Sequence, residues 1–202
     1  MPIDNPQTLR TLYGDVSPRA AKKVLPRLDR HCRAFIGISP FLVLSSQSAD
    51  GRADVSPKGD APGFVAVLDD ETILIPDRIG NNRLDTMHNV LENPAVGLLF
   101  LVPGMNETLR INGTAELTTD TALLEPLAVR GKVPKVGMLI HVREAFLHCA
   151  KALIRSNLWD PSLQIERKAF PSMGQMLADQ IGGFTAEEAD QVTEHKNKHE
   201  LY

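Results

Sequence analysis

Several things this chain lacks narrow its possibilities before anything it contains. Only two of its 202 residues are cysteine, Cys32 and Cys149. Two thiols so far apart in sequence are no disulfide framework, and they point to a reducing, cytoplasmic setting. Excess positive charge is missing too, with 22 basic against 25 acidic residues and a net charge of −3. Neither nucleic acid nor an anionic membrane is the expected partner of such a surface. No apolar run reaches membrane length, and the polar opening from Met1 to Arg10 does not read as a signal peptide. Repeats and low-complexity tracts are absent. So are Gly-x-Ser-x-Gly, the P-loop and Gly-x-Gly-x-x-Gly, which removes support for several common enzyme classes. The six histidines show no metal-ligand spacing. His195 and His199 stand four apart in a charged stretch without a third ligand, and read as a solvated helical face. His148 and Cys149 are neighbours, and adjacent helical residues do not face each other.

What is present suits one domain. Hydrophobic residues make up 43 % of the chain, enough for a sizeable core. Residues 1–34 read as an arm followed by helix, 35–161 as the strand-rich core, and 162–202 as two closing helices. Ser17-Pro18 caps a helix running toward His31, which Pro26 kinks or splits. Strands are expected at 41–46 and, after an Asp50-Gly51 turn, at 53–56, with 57–63 as a loop. Further strands are expected at 64–68, 73–75, 96–102, 107–117 and 136–142. Asp120 caps a short helix, and 145–155 reads as mainly helical. Ser172 caps the first closing helix, Gly182-Gly183 ends it, and Thr185 to Glu188 forms a capping box for the second. Many short strands with few long helices between them favour a mostly antiparallel closed barrel with helices outside it.

The stretch from Thr72 to Val102 is the most informative. A short strand is stopped by Pro76, and Gly80-Asn81-Asn82 is turn chemistry. Either asparagine is able to cap a helix starting near Arg83, with Leu84, Met87, His88 and Leu91 along its apolar face. A strand, an amide-rich turn, an arginine and a helix N-terminus make a candidate phosphate cradle. The plain alternative is a capped crossover helix with Arg83 solvated. Lys58, in Ser56-Pro57-Lys58-Gly59-Asp60, offers a second cation beside free turn amides, or else belongs to an ordinary surface loop. Lys151 and Arg155 share a helical face with Trp159 just beyond. They suit an anionic aromatic ligand, or a basic stripe with one half-buried tryptophan.

Taken in order, several clusters resemble one known family. They are Ser39-Pro40-Phe41, Asp54 to Asp60, Pro62-Gly63-Phe64, Ile75 to Arg78, Gly80 to Arg83, Asn93-Pro94, Leu109 to Gly113 and the segment from Cys149 to Trp159. The chain is similar over residues 29–161 to the pyridoxamine 5′-phosphate oxidase-like FMN-binding split barrels, in a branch whose members mostly lack an assigned substrate. The resemblance implies a split β-barrel, mostly β with peripheral helices and mainly antiparallel. It also implies an FMN-dependent oxidoreductase acting on a small molecule, and a homodimer with FMN at the subunit interface. By that resemblance Lys58 and Arg83 hold the FMN phosphate, with Asn81 and Asn82 helping through the turn. Val55, Ser56, Pro57, Pro76 and Asp77 line the ribityl chain and ring edge, and Glu107 and Thr108 meet the ring. Lys151, Arg155 and Trp159 reach the site from the partner chain. True pyridoxamine phosphate oxidases end in an Arg-x-His-type motif that this chain lacks. A non-catalytic FMN or haem binder is the rival from another class, and a true pyridoxamine phosphate oxidase is a third reading.

Overall fold

Alternation builds the sheet. In β1 (Phe41–Gln47) Leu42, Leu44 and Ser46 are buried while Phe41, Ser45 and Gln47 are exposed, the period-two pattern of a strand with one face on a core. The computed structural model describes residues 2–202, so Met1 of the expected arm lies outside the described residues. The remaining strands are β2 (Ala53–Gly59), β3 (Ala66–Val67), β4 (Thr72–Pro76), β5 (Ala95–Leu101), β6 (Thr108–Thr118) and β7 (Gly137–His148). They form one sheet in the order β2-β1-β5-β6-β7-β4-β3, and every pairing is antiparallel.

The barrel is not closed, contrary to the sequence expectation. β2 and β3 are the outer strands and do not pair with each other. β3 has only two residues, and β2 carries Pro57, whose missing N–H restricts it to an edge. For the same reason the expected loop at 57–63 is partly strand: a proline excluded from a central strand is tolerated on the outermost one. The sheet still curls, because Leu44 and Lys58 from one end share a hollow with Ile75, Pro76 and Met138 from the other.

Inside the curl lie Leu42, Leu44, Ile73, Leu98, Phe100, Leu109, Ile111 and Ile140, all essentially inaccessible. Each such side chain contributes about 1.5–3 kcal/mol by leaving water. Helix α3 (Arg30–Ile38), capped by Asp29, adds Cys32, Phe35 and Ile36 to this core. Burial pushes the Cys32 thiol up to about 11, so it behaves as a small apolar group. The long β6–β7 ladder shifts register at Asn112 and Gly113. A Cβ on Gly113 would sit 2.2 Å from the His141 carbonyl oxygen, so only glycine fits there.

Several elements depart from the sequence expectations. The arm contains helix α1 (Pro6–Tyr13), and the helix expected from Ser17 is split. It yields the short α2 (Pro18–Lys22) and, past Pro26, α3, which continues beyond His31. Leu25 between them pairs with Ala145. The strand expected at 64–68 shrinks to β3, though Phe64 and Val65 are buried. Residues 145–148 are strand rather than helix, because they pair with Thr108 to Ile111. The helix there is only α6 (Lys151–Ser156). Helix α4 (Asp85–Glu92) packs on β1, β6 and β2, and the short α5 (Thr121–Leu124) follows β6. The closing pair is α7 (Met173–Ile181) and α8 (Ala186–His199), with Ser172, Gly182 and the Thr185–Glu188 capping box placed as expected. Among the described residues no helix is long and apolar enough to cross a membrane.

Candidate functional site

The two ends of the curled sheet approach each other beside β2. Strand alternation turns Asp54, Ser56 and Lys58 toward the side of Ser46, Leu44 and Leu42, their register partners, while Val55 and Pro57 are exposed on the other. Opposite, β4 ends at Pro76, and the Asp77 N–H donates to the Val136 carbonyl at 2.9 Å. Lys58, Pro76 and Asp77 thus meet over Leu44, Ile75 and Met87. The hollow between them has only about 10 Å³, room for about one water molecule. Burial raises the pKa of the Asp77 carboxyl, and the charges of Lys58 and Arg78 only partly oppose this. Lys58 is half-buried and forms no ion pair among the described residues.

Arg83 lies in a different and larger hollow of about 370 Å³, lined by Arg52, Asp54, Asp85, His88 and Glu92 among others. Its Nε donates to Asp85 Oδ2 at 2.7 Å, on an exposed side chain. The structure therefore does not bring Lys58 and Arg83 into one cluster. The amide-rich turn is present, since Asn81 Oδ1 accepts from the Arg83 N–H at 3.1 Å and Asn82 is left-handed with φ 58°. The cap is not. Helix α4 starts from Leu84, itself left-handed with φ 59°, and no side chain caps it. Neither asparagine caps the helix, and its expected apolar face is also wrong. Leu84, His88 and Leu91 are exposed, whereas Thr86 and Val90 are buried. Polar contacts fix this orientation: Thr86 Oγ1 donates to Asp54 Oδ2 at 3.2 Å, and Asn89 Nδ2 donates to Ser46 Oγ at 2.9 Å.

The remaining sequence candidates lie at the start of β6 and beyond β7. Glu107 is exposed, and Thr108 is buried opposite His148. Lys151 and Arg155 on α6 are exposed and form no ion pair among the described residues. The Trp159 indole N–H donates to the Met105 carbonyl at 2.7 Å. That bond fastens the segment after α6 to the turn before β6 of its own chain.

Sequence reasoning did not single out a third cluster. Asp60, just after β2, has a side chain only 2 % exposed and pairs with Arg78, just after β4, at 2.6 Å. Arg78 Nη1 also donates to the Leu127 carbonyl at 3.1 Å. The Tyr202 hydroxyl donates to Asp60 Oδ1 at 2.7 Å, and its ring lies 5.8 Å from Arg78 and 5.2 Å from Arg130. Lys132 Nζ donates to the Tyr202 carbonyl oxygen. Burial pushes the Asp60 carboxyl up, but its bonds from Tyr202, the Ala61 N–H and Arg78 outweigh this and hold it below the usual range. Nothing local in the sequence links Lys132 to Tyr202, 70 positions further on.

An open, curled, wholly antiparallel sheet with helices packed around it is a split-barrel architecture. The chain belongs to the pyridoxamine 5′-phosphate oxidase family, whose model matches residues 28–149. A HupZ variant of Group A Streptococcus shares 21 % identity at a TM-score of 0.50, over 59 % of this chain and 98 % of that one. An FMN-binding protein of Syntrophomonas wolfei gives 13 % identity and a TM-score of 0.45, over 71 % and 96 % respectively. General stress protein 26 of Bacillus anthracis gives 16 % and 0.41, over 58 % and 93 %. No curated protein matches the chain.

Proposed function

We propose that this chain is an FMN-dependent oxidoreductase acting on a small molecule, with the flavin site on the β2–β4 side of the sheet. The observation behind this reading is that the family match, residues 28–149, contains both the Lys58–Asp77 crevice and the Arg83 turn. Lys58 fits a phosphate best: it is half-buried, cationic and without an ion pair among the described residues, and a charge-assisted bond is the strongest contact it can make. Arg83 has to leave Asp85 to help. Val55, Ser56, Pro57, Pro76 and Asp77 offer the flanking surface, and Asn81 and Asn82 their turn amides. A hollow of about 10 Å³ does not enclose a tricyclic ring, so the flavin lies against the open surface. A second copy of the chain covers it, with Lys151, Arg155 and Trp159 as the candidates to meet it, while Glu107 and Thr108 mark the start of the strand nearest the ring. When bound, FMN supplies the redox chemistry. The chain binds it, orients it and keeps water from its reacting face.

The test is a fluorescence-quenching titration with FMN and riboflavin. FMN binds tighter, and Lys58→Ala removes about tenfold of that preference, the scale of a lost bond to a charged group. Arg83→Ala removes less, because its guanidinium is exposed and already paired. Equal affinity of the unaltered chain for the two flavins overturns the phosphate site. Anaerobic reduction of the bound FMN by a nicotinamide or amine donor separates an enzyme from a flavin or haem carrier.

A further inference from the structure

We infer that Asp60, Arg78, Arg130 and Lys132 form a binding cup for a phenol bearing an anionic group, occupied in the structure by the chain's own Tyr202. The floor of the cup is built rather than incidental. The Asp60 side chain is 2 % exposed and that of Arg78 is 18 % exposed, so both charges are held out of water by a short ion pair. Asp60 keeps its second oxygen turned toward the occupant, where it accepts the Tyr202 hydroxyl at 2.7 Å. The walls come from a tight turn in which Val129 and Lys132 exchange backbone hydrogen bonds of 3.1 and 2.9 Å. Its central residues, Arg130 and Gly131, both have positive φ, 52° and 76°. Such a turn favours asparagine or glycine at the first of these positions, and an arginine accepts backbone strain to stand there. What it gains is a guanidinium 5.2 Å from the Tyr202 ring, in addition to that of Arg78 at 5.8 Å.

Charge identifies the missing part of the ligand. Arg78 is neutralised by Asp60 and Lys132 is held by the Tyr202 main-chain oxygen, but Arg130 makes no ion pair among the described residues. A tyrosine side chain brings no negative charge to Arg130. The occupant thus meets the ring and hydroxyl requirements of the cup and leaves Arg130 without a counter-charge, and its departure frees Lys132 as well; a phenol with a carboxylate satisfies both. Tyr202 is then a competitor in cis, displaced when such a ligand arrives.

This inference stands apart from the flavin reading, because the probe is followed by its own binding heat. The probe is 4-hydroxyphenylacetate, titrated into the full chain and into its Tyr202→Ala variant, with circular dichroism confirming that both are folded. Tyr202→Ala binds it about tenfold tighter, the factor expected when an occupant present nine times in ten is removed. Phenylacetate, which leaves the Asp60 oxygen without a donor, binds the same variant about tenfold more weakly. Adding Arg130→Ala to Tyr202→Ala abolishes most of the gain. Tyr202→Phe keeps the ring, loses the bond to Asp60, and falls between the unaltered chain and Tyr202→Ala. Equal affinity of the unaltered chain and Tyr202→Ala, or no preference for the hydroxylated probe, overturns the proposal.

Discussion

Residues 28–149 and the segments on either side of them are held by different physics. Among the described residues every buried hydrophobic side chain lies between Leu28 and Phe146, within the span matched by the family model. Outside it, α1, α2 and α8 bury nothing, and α7 buries only Gly174. The central span is stabilised by apolar area removed from water. The terminal helices depend on caps and on one another: Asn5, Ser17, Ser172 and Thr185 each accept a backbone N–H of a first turn. A fold and its appendages can thus be separated by their source of stability. The appendage still reaches the central span, where the Tyr202 hydroxyl donates to Asp60.

The sharpest way to expose this difference is a matched pair of truncations. Phe100→Ala, in the core, costs about 3–5 kcal/mol of unfolding free energy. Phe170→Ala, at a residue 58 % exposed, changes it by less than about 0.5 kcal/mol. Urea denaturation of both variants measures this, and similar losses break the comparison.

Gly174→Ala acts on the appendage alone. Its new Cβ would lie 2.2 Å from the Ala186 carbonyl oxygen and 2.6 Å from Asp190, so α7 and α8 are forced apart at about 1–3 kcal/mol. Hydrogen exchange then accelerates in α7 and α8 while the β6 and β7 amides keep their protection. A loss of sheet protection would show that the two regions unfold together.

The smallest effect belongs to Asp77, in the crevice where the ends of the sheet meet. Burial raises its pKa in the folded state above the unfolded value. Between the two values the folded chain holds the extra proton, so stability falls as pH rises through that window. Asp77→Asn removes this slope and is more stable than the unaltered chain at pH 7, but not below the unfolded carboxyl pKa. Thermal midpoints at the two pH values test it, and an unchanged slope would trace the pH dependence to another group.

Local signals were legible and long-range ones were not. Ser17, Asp120, Ser172 and Thr185 cap helices as read, because a cap involves only three or four neighbouring residues. The apolar runs of β1 and β5 and the alternating β6 lie within a residue of their expected bounds. Residues 145–148 misled because alanine, phenylalanine and leucine suit either helix or strand, and pairing with β6 decided it. α4 misled because it docks through Thr86 and Asn89, polar residues that a search for an apolar face passes over. Lys58 and Asp77 were both named from the sequence, and the curl of the sheet brings them to one crevice. The Tyr202 cup was invisible, since it joins residues up to 142 positions apart.

Pro57 has a consequence outside the folded molecule. β2 is the outermost strand, and an outer strand offers unsatisfied N–H and C=O groups to any passing chain. Opposite Val43, Pro57 has no N–H to offer, so the row of donors along that rim is interrupted near its middle. A stray strand that begins to dock there meets a gap where its next hydrogen bond belongs. In a crowded solution of identical chains, the residue that keeps β2 on the rim also makes that rim a poorer template for added strands.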